Sequence, residues 1–261
     1  MLRPEFEERS GMNRYKIVTS YDGTDYYGWQ VQKNLPTIAL TMQDVFYSVF
    51  KTSITLRGAS RTDAGVHAIG HVAFFDTNVD CDVRSMQFAW SNALPKSIII
   101  KELLRVDPVW VHPHANIVSK TYWYHLALDI PSPFFARYSW YIQKKVDMEF
   151  LREALQLFVG TYDFKLFCSG EVAGNTVRTV QAIELVYIPE HAVWRIAVTG
   201  KSFLRYMIRR MVGAAIDIAT NPDLSLTYIR EMLEEHKKRR ALFCAPARGL
   251  VLHSIKYQDT P

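Results

Sequence analysis

Short stretches in which apolar and polar residues alternate recur along the chain and predict β-strands, because successive side chains of a strand point to opposite faces. The clearest stretch is 14–21, in which Tyr15, Ile17, Thr19 and Tyr21 share one face. Further strands in the first half are predicted at 54–57, 71–75 and 98–106.

Segments of helical period separate these strands. Thr41 is predicted to cap a helix with apolar residues at i, i+3, i+4 and i+7, and Asp82 to open a second. The resulting order, β-α-β-β-α-β, is that of a ferredoxin-like unit. The second half repeats the theme, with strands predicted at 119–129, 180–188, 193–199 and 250–255, and helices from Asp147, at 202–219 and at 225–236.

Turn-forming residues at 107–113 mark a boundary between the two halves. We expect a mobile leader at 1–13, an N-terminal half at 14–110 and a C-terminal half at 111–261. The net charge of +5 and the isoelectric point of about 9.0 favour an anionic partner. The predicted fold class is therefore α+β, with two ferredoxin-like halves whose antiparallel sheets flank a central basic cleft.

Composition excludes several classes of protein. Hydrophobic residues make up 49% of the chain and charged residues 22%, which is typical of a folded enzyme rather than a disordered chain. The three cysteines are scattered and form no C-x-x-C pair, which argues against a disulfide framework and fits a reducing cytoplasm. No apolar run is long enough to predict a membrane span.

The signatures of common cofactor sites are missing from the sequence. It contains no G-x-G-x-x-G, no G-x-x-x-x-G-K-[ST] and no H-E-x-x-H. His67 and His71 could suggest a metal pair, but in an extended chain four residues span about 13 Å, too far for one ion. We therefore expect neither a metal nor an organic cofactor.

The segment 58–68 lies between two predicted strands and is expected to form a loop at the end of a sheet. It reads Gly-Ala-Ser-Arg-Thr-Asp-Ala-Gly-Val-His-Ala, and its glycines and small neighbours let a ligand approach the backbone closely. Arg61 and Asp63 place a cation and an anion two residues apart. Asp63 is either a turn former or a carboxylate directed at a substrate, and the pattern alone leaves both open.

Two further features bear on a site. On the predicted helix 202–219, Arg209 falls in one row with Arg205 and two apolar residues, so it either pairs with a carboxylate or phosphate or extends along the helix to water. In the strand that begins at Ser119, Lys120 precedes the aromatic run of Tyr122, Trp123 and Tyr124. Such aromatics are core residues or stacking platforms for bases, and we expect core for two of the three.

These segments together resemble the TruA family of tRNA pseudouridine synthases, in order and over nearly the whole chain. The most specific match is Ser60–His67, which is similar to the family motif [GS]-R-T-D-A-G-V-H. Other matching segments are Tyr21-Asp22-Gly23-Thr24, Tyr26-Tyr27-Gly28-Trp29-Gln30, Thr41-Met42-Gln43, Lys120-Thr121-Tyr122-Trp123-Tyr124, Phe203-Leu204-Arg205-Tyr206-Met207-Ile208-Arg209 and Gly249-Leu250-Val251-Leu252. The stretch Val111-His112-Pro113-His114 departs from the family, because His114 stands where an arginine is usual.

The resemblance implies roles for individual residues. It makes Asp63 the catalytic carboxylate, without settling whether it attacks the ribose, attacks the base or removes a ribose proton. Arg209 is implied to orient Asp63 and keep it ionised, and Tyr122 to stack on the target uracil and serve as a candidate base for the C5 proton. Arg61 is implied to bind phosphate. The apolar side of the uracil pocket is assigned to Leu250 or Leu252.

The implied function is isomerisation of uridine to pseudouridine in the anticodon stem-loop of tRNA, at positions 38 to 40, by a cytoplasmic homodimer without metal or cofactor. The basic run 237–240 suits an RNA footprint, but a solvated helix end is an equal alternative. Two other hypotheses stay open: a noncatalytic RNA-binding protein of the same fold, and a pseudouridine synthase with other RNA targets.

Overall fold

A computed structural model of the chain describes residues 11–107, 113–114, 116–169, 174–237 and 241–258. Its strands are β1 (Asn13–Tyr21), β2 (Arg57–Gly58), β3 (His67–Thr77), β4 (Ile98–Val106), β5 (Ile117–Ala127), β6 (Trp140–Tyr141), β7 (Gly160–Asp163), β8 (Val177–Ile188), β9 (Val193–Gly200) and β10 (Leu250–Tyr257). Its α-helices are α1 (Ile38–Phe50), α2 (Val83–Ala93), α3 (Pro133–Ala136), α4 (Met148–Gln156), α5 (Met207–Thr220) and α6 (Thr227–Glu234). The fold class is α+β, as predicted.

The strands form one continuous sheet in the order β4-β1-β3-β10-β5-β9-β8-β7, with β2 added beside β3 and β6 beside β5. The last strand, β10, runs parallel to β3 and antiparallel to β5, with Val251 opposite His67 on one side and opposite Trp123 on the other. The expectation of separate antiparallel sheets is therefore corrected. Because β10 hydrogen-bonds to both neighbours, strands from the two parts of the sequence share one sheet.

The apolar faces of the helices pack on the sheet in one large core. Helix α1 buries Met42 and Phe46, and α2 buries Trp90, whose ring meets Phe46 at 4.8 Å between centroids. Helix α5 is buried along most of its length and packs against α4, which fixes its position through the burial of apolar area. That rigidity matters because Arg209 projects from the first turn of α5.

Some predicted element boundaries are confirmed and others are wrong. Asp82 and Asp147 cap α2 and α4 by accepting backbone N–H bonds, and β4 spans the predicted residues. Helix α1 is capped by Thr37, four residues before the predicted Thr41. Strand β3 begins at His67 rather than residue 71, and β2 is confined to Arg57–Gly58.

Helix α5 begins at Met207, five residues later than predicted. Tyr206 adopts φ +63, a left-handed conformation that a bulky residue rarely takes and that interrupts the helix. Arg205 therefore precedes the helix and is exposed, so its predicted helical row with Arg209 is wrong. Within the described residues, no helix is both long and apolar enough to cross a membrane.

Candidate active site

The loop at residues 59–66 connects β2 to β3 and is fastened to the segment that follows β1. Trp29 N–H donates to the Thr62 carbonyl at 3.1 Å, and Gly65 N–H donates to the Tyr26 carbonyl at 3.1 Å. Gly28 has φ +88, and a Cβ there would lie 2.4 Å from the Thr62 oxygen. A glycine is required at this position both for its backbone conformation and for the close approach of the two segments.

Buried polar side chains of β3 and β5 also hold the same loop by hydrogen bonds. Lys120 Nζ donates to the Ala59 carbonyl at 2.8 Å, and His71 Nε2 lies 2.8 Å from the Ser60 carbonyl. The Ser60 and Tyr122 hydroxyls lie 2.8 Å apart. Because a buried polar group is costly to leave unpaired, these contacts hold the loop in one conformation.

Asp63 and Arg209 meet at the mouth of this loop. Asp63 Oδ2 lies 3.3 Å from Arg209 Nη1, and the two side chains are only 19% and 14% exposed. Arg209 is fixed by two further contacts: its Nε donates to the Ala245 carbonyl at 2.7 Å, and its guanidinium lies 4.9 Å from the centre of the Tyr206 ring. The ion pair is therefore oriented from the arginine side.

Two influences act on the Asp63 carboxyl in opposite directions. Burial is the larger and raises its pKa above the ordinary value, while the Arg209 charge and hydrogen bond, and then the Arg205 charge, lower it. Arg209 thus acts in the direction that the resemblance implied, but it does not fully offset burial. The Asp63 carboxyl therefore takes up a proton at a higher pH than a solvated aspartate does.

Tyr122 lies on β5 behind the loop and is 6% exposed. Its ring meets the edge of Phe203 at 5.5 Å between centroids, and burial raises the pKa of its hydroxyl to about 12. Tyr124 is fully buried and Trp123 is only partly buried, so the expectation of two core aromatics in this run is confirmed.

The remaining residues predicted for the site differ in their exposure to solvent. Leu252 pairs with Tyr122 across β10 and β5, Leu250 pairs with Tyr124, and both leucines are buried. Arg61, in the same loop, is exposed. Beside the loop lies an open cavity of about 300 Å³, lined by Thr24, Asp25, Tyr26, Tyr27, Ala64 and Gly65.

The two histidines of the possible metal pair have separate surroundings. His67 Nδ1 is within 3.1 Å of both Gly23 N–H and the Asp22 carboxylate, whereas His71 stacks on Trp29 at 3.8 Å between ring centroids. Across the part of the chain that the structure describes, no group of three or more His, Cys, Asp and Glu side chains is arranged to hold a metal ion.

Ser60, His71 and Lys120 were named in the sequence analysis but were given no role in supporting this loop. All three are less than 9% exposed, although serine and lysine are usually found at the surface. One signal was available for Lys120. It lies two residues before Tyr122 on the same strand and therefore shares its buried face.

The fold and the site define an α+β enzyme in which a loop presents a half-buried carboxylate beside an arginine and a buried tyrosine. A family model described as tRNA pseudouridine synthase matches residues 17–114 and 154–258. The chain belongs to the tRNA pseudouridine synthase family.

Relatives from several bacteria match nearly the full length. The chain is 34% identical over 256 residues to tRNA pseudouridine synthase A of Thermodesulfovibrio yellowstonii, covering 94% of this chain and 100% of the relative. It is 34% identical to tRNA pseudouridine synthase A 1 of Protochlamydia amoebophila, covering 95% and 98%. It is 31% identical to tRNA pseudouridine synthase A of Aquifex aeolicus, covering 94% and 99%.

Similarity to solved structures is weaker. A structure of an H/ACA RNP bound to a substrate RNA containing 2'-deoxyuridine matches with a TM-score of 0.34 and 11% identity, over 90% of this chain and 59% of that chain.

Proposed function

We propose that this protein isomerises uridine to pseudouridine in tRNA, with Asp63 as the catalytic carboxylate. The observation that carries the proposal is the ion pair between Asp63 and Arg209, 3.3 Å long and set in a loop that buried contacts hold rigid. The family of the chain and the names of its relatives support the reaction and the tRNA substrate.

In this reaction the bond between ribose C1' and uracil N1 breaks, the base turns, and a bond forms between C1' and C5. The C5 proton then leaves and N1 takes up a proton, so that product and substrate have the same composition. Asp63 acts on the nucleoside in its ionised form, as nucleophile or base, and Arg209 orients it. Tyr122 accepts the C5 proton and packs against the uracil, while Leu250 or Leu252 supplies the apolar side of its pocket.

We further propose how the substrate is held. Arg61, exposed beside Asp63, binds a phosphate and helps keep the target nucleotide out of the stack. The targets are positions 38 to 40 of the anticodon stem-loop. The enzyme is a cytoplasmic homodimer, with ferredoxin-like halves at 14–110 and 111–261 flanking a basic cleft; the net charge of +5 supports an RNA partner.

Two parts of the sequence bear on RNA contacts beyond the loop. In the basic run, Lys237 contacts Glu235 at 2.5 Å, and residues 238–240 lie outside the described part of the chain. His114, which stands in place of the family arginine, is exposed. Residues 111–112 of the same stretch also lie outside the described residues.

The test is Asp63→Asn, which preserves the size of the side chain and its turn hydrogen bonds but cannot act as an anion. We expect the variant to fold and bind tRNA with near-parental affinity, and to make no pseudouridine. The measurement is tritium release from C5-labelled uridine in tRNA, in a single turnover with enzyme in excess.

Turnover by the Asp63→Asn variant within about tenfold of parental, a barrier change of only ~1.4 kcal/mol, would contradict the assignment. Mapping of pseudouridine in the product tRNA separates the hypotheses about targets. Modification of other uridines by the parental protein would indicate other RNA targets, and tRNA binding by the parental protein without any product would indicate a noncatalytic RNA-binding protein.

A further inference from the structure

A chain of three buried polar side chains runs beneath the loop that carries Asp63. The Tyr122 hydroxyl lies 2.8 Å from Ser60 Oγ, and Lys120 Nζ lies 3.4 Å from the same Ser60 Oγ. The three residues are 6%, 7% and 7% exposed in the order Tyr122, Ser60, Lys120. This series of contacts begins at the Tyr122 hydroxyl, to which the C5 proton is assigned, and ends at the buried amine of Lys120.

Lys120 is an unusual lysine because it is buried without a carboxylate. No ion pair is formed by it among the described residues, and its close contacts are the Ala59 carbonyl at 2.8 Å and Ser60 Oγ. Burial lowers the pKa of its ammonium to about 8. About a tenth of the lysine is therefore neutral near pH 7, and a neutral amine accepts as well as donates a hydrogen bond.

Tyr122 needs such an acceptor if it is to take the C5 proton. Burial raises the pKa of its hydroxyl to about 12, so its phenolate is scarce at neutral pH. A neutral phenol can accept a proton on its oxygen only if it gives up its own proton in the same step. The group within reach to receive that proton is Ser60 Oγ at 2.8 Å.

We propose that Ser60 and Lys120 relay this proton from Tyr122, with the neutral amine of Lys120 as the final acceptor. The C5–H bond of the turned uracil breaks, its electron pair forms the C5–C6 double bond of pseudouridine, and the electron pair of the C6–N1 double bond moves to N1, which takes up a proton from solvent water. The proton passes to Tyr122 Oη, the Tyr122 proton to Ser60 Oγ, and the Ser60 proton to Lys120 Nζ. The inference rests on the proposed function and names the route by which its last step is completed.

The direction of the hydrogen bonds depends on the charge of Lys120. As an ammonium it donates to Ser60 Oγ, so the Ser60 hydroxyl points its own proton at Tyr122. As an amine it accepts from Ser60, which can then accept from Tyr122. Only the second arrangement moves a proton away from Tyr122, so the C5 step should speed up as pH rises through the pKa of Lys120.

The surroundings of Lys120 contribute few other titrations to this pH range. His71 on β3 faces the same loop, and burial lowers its pKa to about 4, so it stays neutral. The residues paired with Lys120 on β9 and β10 are Gly200 and Ile255, which carry no charge. The charge of Asp63 also acts on Tyr122, but we expect Asp63 to titrate on the acid side of the pH–rate profile, away from Lys120.

The experiment compares tRNA carrying protium or deuterium at C5 of the target uridine, in single turnovers over a range of pH. In Ser60→Ala and Lys120→Arg, we expect the C5 step to slow by about 100-fold and become rate-limiting, so that the deuterium isotope effect grows. The rise in rate at alkaline pH should disappear in Lys120→Arg, since arginine stays charged. Ser60→Thr keeps the hydroxyl and should restore the parental behaviour.

The matched control is Thr121→Val on the same strand, because Thr121 bonds to Thr199 and has no part in the chain to Tyr122. Slower variants with the parental isotope effect and pH profile would overturn the relay, leaving Lys120 as a structural partner of the Ala59 carbonyl. If Lys120→Arg fails to fold, Ser60→Ala alone decides by the same two readouts. Failure of the proposed function is distinct, since the parental protein would then form no pseudouridine.

Discussion

At the scale of single residues, the site depends on the balance between burial and Arg209 at the Asp63 carboxyl. Arg209→Gln removes the guanidinium charge and leaves the burial, so the pKa of Asp63 should rise further. Catalysis requires the ionised form, and activity is therefore lost as pH falls through this pKa. We expect the acid limb of kcat/KM to move to higher pH in Arg209→Gln.

Arg209→Lys is the matched comparison, because it keeps the charge but loses the forked geometry. Its acid limb should stay near the parental position even if the rate drops. We also expect Arg209→Gln to lose about 2 kcal/mol of stability, less than the 3–5 kcal/mol of a fully buried pair, because the side chains are 14% and 19% exposed. An acid limb at the same pH in parental and Arg209→Gln would contradict the electrostatic role.

His71 predicts a separate effect of pH on stability. Its pKa falls to about 4 in the folded protein from an ordinary value of 6.5, because the ring is fully buried. Between these values the unfolded chain binds more protons, so the free energy of unfolding falls as pH falls. Relative to neutral pH, we expect the protonation of His71 in the unfolded chain to lower the free energy of unfolding by about 2 kcal/mol at pH 5 and by about 3 kcal/mol at pH 4.

Urea unfolding of the parental protein and of His71→Gln at pH 7.5 and pH 5 measures this contribution. Because Gln does not titrate, the variant should lose less stability between the two pH values. His125, whose pKa also falls to about 4, remains in both proteins and cancels in the comparison. Equal losses in the two proteins would show that His71 takes up no proton on unfolding.

At the scale of elements, the position of the loop that carries Asp63 depends on its close contact with the segment after β1. Gly28→Ala places a methyl group 2.4 Å from the Thr62 carbonyl, at a residue with φ +88. We expect about 1–2 kcal/mol of backbone strain and, in addition, displacement of the loop. Turnover should fall sharply while tRNA binding, which we expect to rest on many phosphate contacts elsewhere, changes little.

Gly174→Ala is the control for the backbone strain that any alanine with a positive φ introduces. Gly174 has φ +117, and no atom of the described residues lies within 4 Å of an added Cβ, so this variant carries strain without a clash among them. Single-turnover rates and unfolding free energies of the two variants separate the two causes. A rate for Gly28→Ala equal to that of Gly174→Ala would mean that the close contact with Thr62 does not position Asp63.

Elements with strong local signals could be predicted from the sequence, whereas those set by distant contacts could not. β4 opens with three β-branched residues, Ile98–Ile100, and Asp82 caps α2 through its own side chain. The start of α5 could not be predicted, because the apolar spacing continues through residues at which Tyr206 turns to φ +63. The place of β10 beside β3 also has no local signal, since parallel pairing joins strands far apart in sequence.

The candidate site shows the same division. Asp63 and Arg209 are 146 residues apart, and only the family resemblance suggested that they meet. The position of Lys120 on the same strand face as Tyr122 was the one signal for its burial, and His71 had none, because a buried histidine has the same local sequence pattern as a solvated one. Burial is a property of the assembled sheet, so their roles became visible only with β3 and β5 in place.

At the scale of the whole molecule, the net charge of +5 predicts how the protein holds its substrate. Each phosphate contact releases condensed counterions, so log K for tRNA should fall linearly with log salt, with a slope of several units. The basic run 237–240 tests whether this charge acts locally. If the run binds RNA, replacing Lys237 and Lys238 by Ala should flatten the slope by about 0.7–0.9 for each phosphate that is no longer neutralised.

The control replaces Lys144 and Lys145, which are exposed and carry the same charge. A general field effect would weaken binding and flatten the slope by about the same amount in both double variants, because it depends on the net charge and not on where the charge lies. A local footprint would change the slope only for the 237–238 variant. Affinity measured from low to moderate salt therefore decides between an RNA contact and a solvated helix end, and an unchanged slope in the 237–238 variant favours the solvated end.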